Sequence, residues 1–364
     1  MNSSPVNDEL SPHILVLGMG GTIAGLAPSP ELNPLAYKAG QVGVGELLTK
    51  IEQMLPDGLN IISKQVANIN SSNLSEPLLT ELGQQVKNAL ASSALIGIVI
   101  THGTDTIEET GLFLQATCGK YAERLGKRVV LTGAMLPANA IGADGPKNLL
   151  NSIQWASTAI DNCPGGIFAV FAGKVCMARD LAKRHSSNIS APLMDSPSSS
   201  IFLINPSWLS LVKAAQAALL EDLPIPQADA WPWVEIFTSH AGARTELIQQ
   251  SINAGVSGLV IAGTGQGGFN SAWQESIDQA IAADIAVVRA TRTGAGIVRP
   301  NIPAKDPEGC MAAGTLSPPK ARIALQLALN AAKESSVRGA SLPPRWQDFF
   351  EPQTYQDLTH TSSQ

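Results

Sequence analysis

The sequence is poor in cysteine and has no excess of positive charge. Its four cysteines, Cys118, Cys163, Cys176 and Cys310, are widely separated and form no Cys-x-x-Cys pair. This spacing favours reduced, packed thiols, with a single disulfide pair as the alternative. The formal net charge is −6 and the pI is about 5.4. A nucleic-acid or anionic-membrane partner would favour a basic face, so the charge supports neither.

Long apolar runs and metal-binding spacings are also missing. The apolar stretch Ala94–Ile100 is far too short to cross a bilayer. Residues Met1–Pro12 contain no lysine, no arginine and no apolar stretch, whereas a secretory signal needs basic and apolar parts. We therefore expect a cytoplasmic protein. No His-Glu-x-x-His helix, His/Cys metal spacing or Gly-x-Ser-x-Gly elbow occurs, so no metal or cofactor is indicated.

Apolar segments alternate between two periodicities along the first half of the chain. A length of 364 residues with 44% hydrophobic residues predicts two domains with sizeable cores. Segments with helical periodicity, such as Val44–Leu55 and a helix capped by Ser75, separate short β-branched runs. The runs predict strands at Ile14–Leu17, Ile96–Ile100, Val129–Leu131 and Ile167–Phe171. This alternation predicts an α/β fold whose larger N-terminal domain has a mainly parallel sheet sandwiched by helices.

The pattern changes between Ser196 and Trp233, where serine and proline cluster around one apolar helix near Trp208–Leu220. We predict an N-terminal catalytic domain at 1–204, a linker at 205–232 and a C-terminal domain at 233–364. The C-terminal domain is predicted to be a smaller α/β unit. Its predicted strands are Val234–Phe237, Gly258–Ala262 and Ile285–Val288, and its predicted helices lie near Thr245–Ala254 and Ser271–Ala283.

A glycine-rich turn follows the first predicted strand, as Gly18-Met19-Gly20-Gly21-Thr22-Ile23-Ala24-Gly25. Clustered glycines can bring backbone N–H groups to a phosphate. The dinucleotide fingerprint fails here because its third glycine position is Ile23, and no Gly-Lys-Ser/Thr follows. Two interpretations remain: a structural tight turn, or a turn that presents the hydroxyl of Thr22.

A second polar segment follows the strand Ile96–Ile100, as Thr101-His102-Gly103-Thr104-Asp105-Thr106. Ligands in open α/β sheets bind at the carboxyl ends of strands, where this segment lies. Thr104 beside Asp105 could be a nucleophile or water activator next to an ammonium-binding carboxylate. Alternatively, Asp105 could cap the following helix. His102 is given no role, because a lone histidine in a turn is more often structural.

A third polar segment, Ala178–His185, follows the strand Ile167–Phe171. Alone it is an ordinary charged loop. A lysine brought against Thr104 would lose solvation and could act as a base towards a hydroxyl. The residues thus suggest hydroxyl nucleophiles without naming a substrate.

Taken together, these segments resemble the signatures of the bacterial-type L-asparaginase family. The resemblance covers nearly the whole chain in the family's order. It is carried by Gly20–Gly25, Thr101–Thr106, Ala143–Leu149, Arg179–Lys183, Ala262–Gly267 and Gly314–Pro318. It implies hydrolysis of L-asparagine to L-aspartate and ammonia without metal or cofactor, in a homo-oligomer built as a dimer of dimers. No nucleic acid or membrane partner is implied.

The resemblance also implies roles for individual residues. Thr22 would attack the amide carbon, and Tyr37 would be the tyrosine of the family's mobile loop. Thr104 and Lys183 would activate a nucleophile or water. Asp105 would hold the substrate α-ammonium group. Ser71, with Ser72 beside it, would bind the α-carboxylate.

Some positions depart from the family pattern. Met19 stands where many relatives have threonine, and Ser72 where secreted relatives often have glutamine. Gly268 stands where some members place an asparagine that reaches a neighbouring active site, and the loop Leu26–Leu35 is unlike the usual one. These differences bear on affinity and on the choice between asparagine and glutamine, not on the reaction class.

The sequence leaves three alternatives to an L-asparaginase. An asparaginase-like subunit of a tRNA-dependent amidotransferase would carry an extra N-terminal domain. A dinucleotide-binding oxidoreductase is weakened by the failed glycine fingerprint. A catalytically silent amino-acid sensor on the same fold would bind aspartate without releasing ammonia, and the intact Thr22, Thr104, Asp105 and Lys183 argue against it.

Overall fold

The computed structural model describes residues 11–158, 165–188, 202–203, 222–337 and 345–350. The chain forms two compact units. The predicted helix near Trp208–Leu220 and most of the predicted linker lie outside the described residues. The predicted boundaries at 204 and 232 stay predictions.

The larger unit is built on a mixed, mostly parallel sheet. Within the described residues seven strands form it: β1 (His13–Gly20), β2 (Asn60–Ile69), β3 (Leu95–Thr101), β4 (Arg128–Thr132), β5 (Gly166–Phe171), β6 (Lys174–Met177) and β7 (Phe202–Leu203). The strand order is β2-β1-β3-β4-β5-β6-β7. Strands β1 to β5 pair in parallel, and β6 and β7 pair antiparallel. The carboxyl ends of β1, β2 and β3 therefore meet at one edge of the sheet.

Helices cover the sheet of the larger unit. They are α1 (Val44–Thr49), α2 (Glu76–Leu90) and α4 (Gly145–Ser157). A further helix, α3 (Ile107–Arg124), follows β3, and its residues Glu108–Thr117 belong to the smaller compact unit. Side chains of α1 and α4, such as Leu47 and Ile153, share a core cluster with Ile14 and Val16 of β1. Strands β4 and β5 are buried at every position, which requires cover on both faces. The predicted fold class is confirmed.

Helix α1 is shorter than the periodicity of Val44–Leu55 predicts. It ends at Thr49 and is followed by a 3-10 turn at Glu52–Met54. Leu55 is extended, as expected for a residue before proline, and Pro56 follows it. Ile51 is fully buried whereas Met54 is 52% exposed, so the predicted apolar face ends within the turn.

The smaller unit is a parallel sheet with helices on both faces. Its strands are β8 (Val234–Thr238), β9 (Gly258–Gly263), β10 (Ala286–Thr291) and β11 (Cys310–Ala312), in the order β11-β10-β9-β8. Its helices are α5 (Glu246–Asn253), α6 (Gln274–Ala282) and α7 (Pro318–Val337). Val260 packs with α7, whereas its neighbours Leu259 and Ile261 pack with α5 and α6. Adjacent strand residues point to opposite faces, so both faces of this sheet are buried. The prediction of a smaller C-terminal α/β unit is confirmed.

Candidate active site

Three turns meet at the carboxyl edge of the large sheet. A 3-10 turn at Thr22–Ala24 follows β1, a second at Ser71–Asn73 follows β2, and Thr104 and Asp105 follow β3. Gly21 has φ 80° and ψ −168°, and a Cβ at this position would overlap the backbone of Gly103. A Cβ at Gly103 would lie 2.7 Å from Cβ of Ser71. Only glycine allows this contact, which places Thr22, Ser71 and Thr104 on touching turns.

Thr22 is paired with the predicted loop tyrosine. Its Oγ1 lies 2.7 Å from the Tyr37 hydroxyl, and Thr22 is only 7% exposed. Leu26 and Lys38 form an antiparallel backbone pair in which each N–H donates to the carbonyl oxygen of the other residue. This pair closes the loop beside Tyr37. A Cβ at Gly25 would lie 2.8 Å from Cδ2 of Tyr37, so the ring packs directly on this glycine. The structure therefore brings Thr22 and Tyr37 into one hydrogen-bonded pair.

Thr104, Asp105 and Lys183 form a second polar group. Lys183 Nζ donates to Thr104 Oγ1 at 2.9 Å and to Asp105 Oδ1 at 2.7 Å. Thr104 is buried, whereas the side chain of Asp105 is 52% exposed. The N-cap of α3 is Thr106, so the interpretation of Asp105 as a helix cap is wrong. Asp105 pairs with Lys183 instead. The carboxylate is open to a cationic ligand from the solvent side.

The two predicted serines occupy different environments. Ser71 is buried, and its Oγ accepts a hydrogen bond from the Asp105 N–H at 3.3 Å. Thr106 Oγ1 donates to the Ser71 carbonyl oxygen at 2.8 Å. Ser72 is exposed, and its N–H donates to Asn70 Oδ1 at 3.3 Å. Ser71 is thus bound to the turn that carries Asp105, whereas Ser72 faces solvent beside it.

Lys183 reaches the site by a route that the sequence did not reveal. It was expected to follow the strand Ile167–Phe171, but a further strand, β6, and a 3-10 turn at Ala178–Asp180 intervene. Because β6 runs antiparallel to β5, its end lies away from the carboxyl edge, and the chain returns before Lys183. The alternation of Lys174–Met177 is too short to signal this reversal.

His102 is enclosed within the turn after β3. Burial lowers its pKa from 6.5 to about 4, and the hydrogen bond to the Gly103 carbonyl opposes this shift more weakly. The ring is therefore neutral near pH 7. Its Nδ1 lies 2.7 Å from the Gly103 carbonyl oxygen, to which a protonated Nδ1 donates. This geometry fits a residue that holds the turn, in line with giving it no catalytic role.

Two further residues, which sequence reasoning left without a role, fix the turn between β4 and α4. The Asp144 carboxylate accepts hydrogen bonds from the N–H groups of Met135 and Leu136 at 3.0–3.1 Å. Asn148 is buried, donates to the Gly133 carbonyl and accepts from the Ala172 N–H, both at 3.0 Å. The sequence offered one signal for these two residues. Asp144 and Asn148 are polar residues at the start of α4, which follows the buried strand β4.

The arrangement offers two hydroxyl groups, each beside a second polar group. A hydroxyl next to a proton acceptor is the basis of nucleophilic catalysis by threonine or serine. Within the described residues, no group of three or more His, Cys, Asp or Glu side chains is placed to hold a metal ion. No described helix is long and apolar enough to span a membrane.

Comparison with family models identifies both parts of the chain. Residues 13–200 match the model described as asparaginase, N-terminal. Residues 233–338 match the glutaminase/asparaginase C-terminal domain.

Comparison with individual proteins gives the same family. The chain is 33% identical to L-asparaginase 2 of Bacillus subtilis over 87% of this chain and 82% of that protein. It is 34% identical to the probable periplasmic L-asparaginase of Haemophilus influenzae, over 90% and 91% of the two chains. A glutaminase-asparaginase of Acinetobacter glutaminasificans is 31% identical over 88% and 97%. The solved structure of the probable cytoplasmic L-asparaginase of Campylobacter jejuni matches with a TM-score of 0.76 and 30% identity, covering 93% of this chain and 99% of that one.

Proposed function

Because the chain belongs to the asparaginase family of amidohydrolases, we propose that it hydrolyses L-asparagine to L-aspartate and ammonia through a threonine acyl-enzyme. The observation that carries the proposal is the pairing of two hydroxyls with polar partners on touching turns. Thr22 Oγ1 lies 2.7 Å from the Tyr37 hydroxyl, and Lys183 Nζ lies 2.9 Å from Thr104 Oγ1. Hydroxyl nucleophiles need such partners to lose and regain a proton.

The substrate head is bound by complementary charge. An α-ammonium group requires an acceptor, and Asp105 offers a half-exposed carboxylate. An α-carboxylate accepts hydrogen bonds, and the Ser71 hydroxyl can donate one on the same side of the site. Ser71 and Asp105 are held together by the hydrogen bond from the Asp105 N–H. The head groups are therefore recognised by residues whose spacing is fixed.

The reaction proceeds in two halves. Thr22 Oγ1 attacks the side-chain amide carbon as its proton passes to the Tyr37 oxygen and the Tyr37 proton passes to the leaving nitrogen. The C–N bond then breaks, ammonia leaves and the Tyr37 hydroxyl is restored. Backbone N–H groups of the turns at Thr22 and Thr104 stabilise the developing oxyanion. Water, positioned by Thr104 and Lys183, then cleaves the ester and restores the Thr22 hydroxyl. Two easier steps replace one difficult step, which removes the need for a metal ion.

Glutamine is the second candidate substrate, because relatives named glutaminase-asparaginase match the chain. The bond that breaks is the same in both amides. We propose that asparagine is preferred, because Ser72 beside the substrate head reaches less far than the glutamine of many relatives.

An ammonia-release assay on asparagine and glutamine tests the function, and quenched-flow mass spectrometry tests the acyl-enzyme. We expect ammonia from asparagine and a transient adduct on the peptide that contains Thr22. Thr22→Ala should abolish both. Thr49→Ala is the matched control, because Thr49 is exposed and its hydroxyl donates to the Glu46 carbonyl oxygen of its own helix. Aspartate binding without ammonia release would instead support the amino-acid sensor.

We also propose a homo-oligomer, a dimer of dimers, working in the cytoplasm without metal or nucleotide. The family resemblance supports the assembly, and the named location of the Campylobacter jejuni protein supports the compartment, although the Haemophilus influenzae relative is named periplasmic. Light scattering that finds an active monomer would contradict the assembly. A loss of turnover after dialysis against a chelator, restored by zinc or magnesium, would contradict metal independence.

A further inference from the structure

The loop that carries Tyr37 has little apolar anchorage of its own. We call residues 26–38 the Tyr37 loop, because the Leu26–Lys38 pair closes it. Its three leucines are exposed, with Leu26 38% exposed, Leu32 88% and Leu35 56%, and only the small Ala27 is buried among the alanines and leucines of the loop. Burial of apolar side chains therefore contributes little to holding the loop in place. Hydrogen bonds must supply most of the free energy that stabilises its position.

A single side chain makes two of these hydrogen bonds. Asn139, in the turn between β4 and α4, accepts from the Ala27 N–H at 2.9 Å through Oδ1. Its Nδ2 donates to the Ala27 carbonyl oxygen at 2.8 Å. The side-chain amide thus pairs with one loop residue as the edge of a neighbouring strand would. Ala138 adds a backbone bond, from its N–H to the Gly25 carbonyl oxygen at 2.9 Å.

The turn that bears Asn139 is itself rigidly held. Asp144 binds the N–H groups of Met135 and Leu136, and Asn148 joins Gly133 to Ala172. Backbone bonds from Ala140 to Pro137 and from Ala143 to Ala140 also hold the segment around Asn139, so this turn has support that is independent of the Tyr37 loop. Asn139 is exposed, so water can replace both hydrogen bonds when the loop opens.

We propose that Asn139 is a positioning residue that latches the Tyr37 loop in its closed position and so holds the Tyr37 hydroxyl against Thr22. Ala27 follows Leu26, whose backbone is paired with Lys38, the residue after Tyr37. The latch thus acts on Tyr37 through one backbone pair. This inference rests on the proposed role of Tyr37 in catalysis.

Hydrogen exchange of the full-length enzyme, together with steady-state kinetics, tests the latch. Asn139→Ala removes both hydrogen bonds, so amides of the Tyr37 loop should exchange about tenfold faster than in the wild type. The kcat for asparagine should fall by about tenfold with a smaller change in KM, because the loss affects a reacting geometry. Asn139→Gln retains donor and acceptor on a longer arm, and should restore part of both. Asn60→Ala is the matched control: Asn60 is exposed, donates one hydrogen bond to Ser11, and lies at the opposite end of the sheet.

The outcomes separate the latch from the proposed function. Wild-type exchange and kcat in Asn139→Ala would overturn the latch. Faster exchange with unchanged kcat would also overturn it, provided that Tyr37→Phe loses activity. If Tyr37→Phe keeps full kcat, the catalytic role of Tyr37 fails, and exchange alone then decides whether Asn139 holds the loop. If Asn60→Ala lowers the melting temperature and kcat as much as Asn139→Ala does, the effect is a general structural one. That result would contradict the proposal.

Discussion

Lys183 and Thr104 are joined by one hydrogen bond, and this predicts that they act as a unit. We expect Lys183→Met and Thr104→Ala each to lower kcat by about 1000-fold, roughly 4 kcal/mol in barrier height. The double variant should be scarcely worse than either single variant, because both remove the same proton transfer. Steady-state rates of the three proteins check this.

Lys87→Met is the matched control for the lysine change, since Lys87 is exposed on α2. It should retain wild-type kcat. Retention of more than about a tenth of kcat in either active-site variant, a change below about 1.4 kcal/mol, would remove that residue from the mechanism. Fully additive losses would show that the two residues act in separate steps.

Ser72 predicts the choice between the two amides. It stands beside Ser71, is exposed, and reaches less far than the glutamine of many relatives. The substrate head is then held less firmly, which harms glutamine more because its extra methylene already costs orientation. We expect kcat/KM to favour asparagine by at least about 100-fold, roughly 2.7 kcal/mol.

Side-by-side kcat/KM values at neutral pH check the preference. Ser72→Gln should reduce it by raising kcat/KM for glutamine. Equal values for the two amides in the wild type, or an unchanged ratio in Ser72→Gln, would show that Ser72 does not act in this way.

The turns after β1 and β3 touch through their backbones, so their packing is testable at one glycine. Gly21→Ala should lower kcat by more than about 100-fold, because its Cβ would overlap Gly103 and push Thr22 away from Thr104. A positive φ adds strain of about 1–3 kcal/mol. Gly58→Ala is the control: its φ is 76° and no atom lies within 4 Å of the added Cβ. It should cost stability alone.

Kinetics and melting temperature of the two alanine variants separate these effects. We expect a larger melting shift in Gly21→Ala than in Gly58→Ala, because the overlap with Gly103 adds to the strain of a positive φ, and a large kcat loss in Gly21→Ala alone. Wild-type kcat in Gly21→Ala would mean that the contact between the two turns is not needed for catalysis.

Strands buried on both faces were predictable, whereas the edge and reversed strands were not. Strands β3 and β4 each contain a run of mostly buried apolar residues, Ile96–Ile100 and Val129–Leu131, which gives a continuous signal. Strand β2 is the edge strand, and its exposed Asn60, Ser63, Lys64 and Gln65 hide the pattern. Residues that directly follow parallel strands, such as Thr22 and Thr104, could therefore be placed, but Lys183 beyond the antiparallel β6 could not.

The sequence predicted which residues belong to the candidate site, but it did not predict the contacts between their turns. Hydroxyls and carboxylates at strand ends identified the site, and the family resemblance assigned their roles. The approach of Gly21 to Gly103 and the pairing of Asn139 with Ala27 depend on the tertiary positions of separate turns. No local pattern in the sequence encodes such positions.

The buried His102 predicts how the stability of the whole molecule depends on pH. Its pKa is about 4 in the folded protein, against about 6.5 when unfolded. As pH falls through this window, the unfolded chain binds a proton that the folded chain refuses. The free energy of unfolding should therefore decrease between pH 6.5 and 4, by about 3 kcal/mol from this group, and should not change on its account above pH 7.

His102→Asn isolates this contribution, because an asparagine amide can donate to the Gly103 carbonyl oxygen but does not titrate. Urea unfolding of both proteins from pH 7.5 to pH 4 would measure the difference, and the carboxylates common to both cancel. The wild type should lose stability more steeply than His102→Asn below about pH 6.5. Parallel curves would mean that His102 binds a proton equally well in the folded and unfolded states. His102 would then be less buried in solution than the structure indicates.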